Sequence, residues 1–429
     1  MANLNEQVQE QPSKASKVII AVNTYDGVGY FVDSEGRFLF KKQFEGVSKF
    51  TEGLACVKQN DKWGFINTKG EVVIPCIYDD ARSFSEGLAK VQQNDKEGYV
   101  NTKGEVVVPC IYDVARKFSE GLAHVNQNGK WGFINTKGEV VVPCIYDFAW
   151  GFSEGLALVK QNDKWGFINT KGEVVVPCIY DDAWSFSEGL ARIEQNGKYG
   201  YVNTKGEVVV PCIYDNTWWF SEGFARVEQN DKWGFINTKG EVVVPCIYDG
   251  AKNFSECFAP VEQNGKSGFI NTKGEVVIPC IYDYALGFSE GLAPVKQNDK
   301  WGFINTKGEV VVPCIYDGAM NFSEGLAHVE QNDKWGFINT KGEVVIPCIY
   351  DDAWDFSEGL AYVEQNGKYG YINTQGEVIA PCIYDDAESF SEGIARVEQN
   401  GKCSIINTQG KVIVAECNNY DTSWCVVEL

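Results

Sequence analysis

Histidine is almost missing from this sequence: His124 and His328 are the two copies in 429 residues. That scarcity removes the Cys-His and Ser-His-Asp arrangements, in which an imidazole takes the nucleophile's proton. It also removes the usual companion of cysteine in zinc sites, which need about four ligands converging at one point. Long apolar runs are missing too. No stretch reaches the roughly 20 residues of a membrane span, and the leading MANLNEQVQEQPSKASK has no apolar segment of signal-peptide length. A soluble, cytoplasmic protein without membrane insertion is expected. Basic residues are outnumbered, 38 against 59 acidic, for a formal net charge of -21. A field of that sign repels phosphate backbones, so nucleic acid is a poor partner and a basic protein or peptide a better one. Glycine-rich phosphate loops and Asp-x-Asp-x-Asp-Gly calcium loops do not occur either. No cofactor, no metal and no enzymatic activity are expected.

What is present is a repeat. Proline-cysteine pairs place Cys76, Cys110, Cys144, Cys178, Cys212, Cys246, Cys280, Cys314, Cys348 and Cys382 at a constant interval of 34 residues. A period of this kind predicts one quasi-linear body in which each unit covers its neighbours, with divergent ends acting as caps. The chain divides accordingly into a disordered polar tail (1–17), a divergent N-terminal capping repeat (18–53), the tandem array (54–402) and a divergent C-terminal cap (403–429).

Within each unit, Asn-Asp or Asn-Gly separates a GLARVEQ-like run from a KWGFIN-like run, and NTKG separates the latter from EVVV. Both read as tight hairpin turns, which gives a three-stranded antiparallel meander. Proline lacks the N–H that a ladder needs, so the third strand is expected to stop there, with one helical turn at Asp-Asp-Ala-Trp beyond it. Trp63 and Phe65 fall on one face and Ile66 on the other, so both faces are apolar and the meanders must stack face to face. The fold expected is all-β, an open superhelical or solenoid-like stack, with a closed propeller-like ring as the alternative.

The string Trp-Gly, Pro-x-x-Tyr-Asp, Phe-Ser-Glu-Gly and Leu-Ala-x-Val resembles the bacterial WG-containing repeat, over roughly Gly29 to Gly410. The resemblance implies a β-rich array with binding or assembly roles and supplies no catalytic residues. Glu97, Tyr199, Ser267, Tyr369 and Cys403 stand where the tryptophan would be.

The cysteines are spaced against chemistry. Units about 10 Å apart hold successive thiols beyond the roughly 4.4–6.8 Å that a disulfide spans between Cα atoms. Apolar filling behind the proline is the expected role, and Cys417 and Cys425 are expected to pack in the cap, with pairing to each other as the alternative. The Tyr-Asp carboxylate is expected to accept hydrogen bonds from the following turn. The position after Leu-Ala, which holds both histidines, reads as a surface site. Variation gathers after Tyr-Asp, where a stripe of Arg82, Arg116, Phe148, Trp150, Trp184, Trp218, Trp219, Tyr284, Met320 and Trp354 has the composition of an interaction surface. A scaffold that binds protein or peptide through this stripe is the expected function. The alternatives are a glycan or cell-surface module and a structural spacer or filament subunit.

Overall fold

The structure is a computed structural model that describes residues 16–24, 27–417 and 423–428. The expected polar tail therefore falls almost wholly outside the described residues. The unit after Tyr316 shows how local chemistry builds a sheet. Strands Gly318–Ala319, Leu326–Gln331, Lys334–Asn339 and Val344–Tyr350 pair antiparallel in that order. Asn332 and Asp333 both have positive φ and lie between the cross-strand pair Gln331 and Lys334. This is the type I′ turn, whose twist matches that of the strands. In the next turn the Asn339 side chain accepts the N–H groups of Lys341 and Glu343.

Two expectations about the unit are corrected. It has four strands rather than three, because the segment read as a helical turn extends alongside its neighbour. Asp351 N–H donates to the Glu364 carbonyl and Trp354 N–H to that of Tyr362, which makes Asp352–Ala353 a short strand. The third strand also runs through the proline. Register passes from Phe337 opposite Ile346 to Trp335 opposite Tyr350, so two residues on one strand face four on the other. Pro347 sits in that bulge, where its missing N–H costs no ladder bond. The bulge also explains the glycine of Trp-Gly: a Cβ on Gly336 would lie 2.5 Å from the Ile346 carbonyl oxygen.

The sheets stack as their two apolar faces require. Leu292, Phe303, Val312 and Tyr316 of one unit share a core with Ala319, Phe322, Ala327, Val329 and Ile338 of the next. Phe337 then turns to the opposite face and enters the following core beside Ala361, Val363 and Ile372. Polar bonds repeat at each joint. The Glu324 carboxylate accepts the Gly359 N–H at 2.8 Å, and the equivalent bond recurs along the array from Glu52 to Glu358. Lys334 pairs with Asp351, whose other oxygen accepts the Asn366 N–H, as expected of the Tyr-Asp step.

Eleven four-stranded sheets and one three-stranded sheet make up this solenoid-like stack, and its two ends are joined. Ser16–Asn23 pairs with Gly29–Asp33 on one side and with Ser423–Glu428 on the other. One face of this antiparallel sheet buries Ile20, Val22 and Val32 against Ile394, Ile405 and Val414 of the last unit. The other buries Ile19, Ala21 and Phe31 against Val47, Ala55 and Val57 of the first. A single measure shows that this joint is like the others. A Cβ on Gly410 would lie 2.2 Å from the Ile379 carbonyl oxygen of the preceding unit, and one on Gly36 would lie 2.5 Å from that of Ile413. The ring-like closure expected as the alternative is thus how the stack ends.

The ten Pro-Cys thiols are half-buried filler with a polar attachment. Cys348 Sγ donates to the Val329 carbonyl at 3.5 Å, and burial pushes the thiol up from its ordinary value. Cys403 stands opposite Cys417 in the ladder and is disulfide-bonded; the side chains of Cys417 and Cys425 lie outside the described residues. Cys257 differs from all of these. It replaces the glycine of Phe-Ser-Glu-Gly, is exposed, and is held at a φ of 68°.

Ten inter-unit aspartates, Asp79 and Asp181 among them, are held below the ordinary value of 3.8, first by the lysine and then by the turn N–H. Depressed carboxylates stabilise the fold above the unfolded-state value and lose that effect as pH falls through the folded-state value. Thermal midpoints should therefore fall steeply below about pH 4, less so in an Asp181→Asn/Asp215→Asn variant; a calorimetric pH series measures this. Cys257→Gly should raise stability by about 0.5–1 kcal/mol by relieving the left-handed backbone. It should also abolish the fast phase of native thiol titration, leaving the Pro-Cys thiols to react slowly. Ile20→Ala, at the joint between the two ends, should cost about 2–5 kcal/mol, read from denaturant midpoints.

Candidate functional site

The short strand that opens each unit lies beside the strand that begins with Leu-Ala, and this pairing builds the site. Trp184 N–H donates to the Arg192 carbonyl, and Arg116 N–H to that of His124. The position two before the Phe-Ser-Glu-Gly phenylalanine is thereby joined to the position after Leu-Ala. The surface reading of the latter is corrected: His328 is buried, Leu158 is buried, and His124 is largely so. The reason is cross-strand pairing with a core aromatic, since His124 lies opposite Phe133 and its ring centroid is 5.4 Å from that of Trp131. Burial, helped by the Arg116 charge, pushes the His124 pKa down to about 4, so the imidazole is neutral at physiological pH. Its Nδ1 is buried without a hydrogen bond.

Arg82, Arg116, Phe148 and Trp150 of the expected stripe line one cleft of about 660 Å³, together with His124 and Trp131. Phe148 is its aromatic hinge, with ring centroids 6.0 Å from Trp131, 6.0 Å from Trp165 and 5.5 Å from Trp150. Trp150, Trp184 and Trp219 line a second cleft of about 330 Å³ on the following joint. Beyond it, cations lie on the rings. The Arg192 guanidinium sits 4.2 Å from Trp184 and 4.1 Å from Tyr199, and Arg226 sits 4.6 Å from Trp218. These contacts hold flat side chains in place through the attraction of cation for ring face.

The other three residues stand apart. Tyr284 lies under Lys252, whose Nζ is 3.9 Å from the ring centroid. Met320 is exposed. Trp354 stacks on Tyr362 at 4.4 Å and 14°. The structure thus gathers Arg82 through Trp219 over consecutive joints and leaves Tyr284, Met320 and Trp354 on later ones. The expected stripe does not include Trp131, Trp165, Tyr199 and Trp233. They are half-buried: Trp131 and Trp165 pack on Phe148, Tyr199 on Trp184, and Trp233 lies under Arg226, which also covers Trp218. The available signal was the charged Glu97 at the equivalent position, which a closed core tolerates poorly.

The arrangement offers ring faces and guanidinium groups in an open cleft. Among the described residues no three His, Cys, Asp or Glu side chains come together as a metal site.

A family model described as "WG containing repeat" matches eleven segments: 31–63, 63–96, 98–131, 131–165, 165–199, 199–233, 233–266, 268–301, 301–335, 335–369 and 369–403. No curated protein matches. Among solved structures, a eukaryotic initiation factor overlaps 71% of this chain and 98% of its own at 13% identity and a TM-score of 0.38. The extracellular domain of a putative hybrid two-component system from B. thetaiotaomicron overlaps 90% and 69%, at 9% identity and 0.23. YCF48 bound to D1 peptide overlaps 49% and 87%, at 11% identity and 0.25. These overlaps are too slight to carry an argument about this chain.

Proposed function

This chain belongs to the WG containing repeat family, a family of repeat scaffolds and not a known enzyme family, and we propose that it binds a protein or peptide through the variable stripe. One contrast supports the reading. The framework positions are nearly identical from unit to unit, and their exposed apolar residues, such as Ile179 and Ile213, repeat unchanged. The stripe varies along the array, from Arg82 and Arg116 to Trp150, Trp184 and Trp218 and then to Lys252, Leu286 and Met320, and it exposes three large rings: Trp150 is 53% exposed, and Trp218 and Trp219 are each 43% exposed. Large aromatic rings already fixed by neighbouring rings or cations lose little freedom on binding, which is why such residues dominate interface energetics. Closure of the stack joins its first and last strands in one sheet, so the bare end faces on which a filament would grow are covered.

Panning a peptide-display library on the full chain tests the proposal. Selected peptides should lose at least tenfold in affinity with a Trp150→Ala/Trp218→Ala variant whose circular dichroism and thermal midpoint are unchanged. Ile179→Ala should bind like the parent chain. Failure to select any peptide, or equal binding by the tryptophan variant, would sink the idea.

A further inference from the structure

The large cleft has a charge opposite to that of the molecule. Arg82, Lys90, Arg116 and Lys117 line it, in a chain with a formal charge of -21. Two of the four are matched: Arg82 Nε is 3.1 Å from Asp80, and Lys90 Nζ is 2.6 Å from Glu97. Arg116 and Lys117 make no ion pair among the described residues and stay exposed. Beside them stand the rings of Trp131, Phe148 and Trp150 and the unbonded Nδ1 of His124.

We infer that this cleft takes an acidic peptide segment, with carboxylates on Arg116 and Lys117 and an apolar side chain against Phe148 and Trp150. The inference rests on the proposed binding role and narrows it. Net charge alone points to a basic partner, but a ligand meets the local charge, and here two unmatched cations face it. Arginine suits carboxylates because its planar fork gives two parallel hydrogen bonds. Length distinguishes a peptide from a small anion. Arg82, Arg116 and Trp150 occupy one equivalent position in three successive units. Sheets about 10 Å apart spread them over roughly 20 Å, the reach of about six extended residues. Arg82 and the adjacent pair Arg116 and Lys117 therefore lie one sheet apart, with Trp150 one sheet further on, a line that an extended segment can follow and a single phosphate does not span.

Fluorescence anisotropy on the full chain provides the test, using a labelled hexapeptide of glutamates and aspartates with one central phenylalanine. Its counterpart carries lysine at every acidic position. The acidic peptide should bind at least tenfold tighter than the lysine peptide. Arg116→Glu/Lys117→Glu should reverse that order, and Trp150→Ala should weaken the acidic peptide about tenfold, with thermal midpoints unchanged in both variants. Equal binding of the two peptides, or an unaltered preference in the double variant, would overturn the inference. So would displacement of the peptide by inorganic pyrophosphate at equal affinity, which would mark simple anion binding, or dimerisation of the chain through this face in sedimentation. If display yields ligands that need Trp150 and Trp218 yet carry no acidic bias, the inference fails while the binding role stands. If display yields none, both fail.

Discussion

Everything in this molecule follows from a sheet that is apolar on both sides. Such a sheet cannot face water on either surface, so no unit owns a complete core: Phe337 is buried by the unit after it and Ile338 by the unit before. Stability is therefore a property of joints. The polar framework sits at the joints too, with Glu324 reaching Gly359 and Lys334 reaching Asp351 across units. The same constraint decides what happens at the termini. An open end would leave one apolar face bare, and the shared sheet of Ser16–Asn23, Gly29–Asp33 and Ser423–Glu428 leaves neither.

The unit was legible in the sequence wherever a local rule applied. Asn-Asp turns, the alternation that sends Phe65 and Ile66 to opposite faces, and the carboxylate after Tyr78 all follow from neighbours a few residues away. The misreadings came where a distant partner overrides the local rule. Proline stops a strand unless a bulge accommodates it, and the bulge depends on Gly336, eleven residues before Pro347. Asp-Asp-Ala-Trp has no strand signature; it extends because the next Leu-Ala strand offers it hydrogen bonds. Closure was hidden for a related reason, since it rests on pairing residues from opposite ends of the chain.

The stripe was visible as variation, and its partners were not. Comparing units singled out Trp150, Trp184 and Trp218 but could not show that Trp165 and Arg192 pack beside them. The variable position after Leu-Ala misled for the opposite reason. Diversity of residue type suggested solvent, whereas the site is a shaped gap that Leu158, Pro260, His328 and Arg226 each fill differently. Interior gaps between repeated units vary for the same reason that surfaces do: each is bounded by two neighbours that also differ.

Twelve sheets that close on themselves share one full turn, about 30° for each step. A thirteenth sheet would reduce the step to about 28°, well inside the scatter with which packed sheets accommodate one another. Near-identical repeats are prone to gain or lose a copy when their gene recombines. In this architecture such an event need not break the circle. It would slide half of the stripe by one place relative to the other half, so that rings and cations met new neighbours across an unchanged frame, and recognition could be reshuffled without redesigning a single joint.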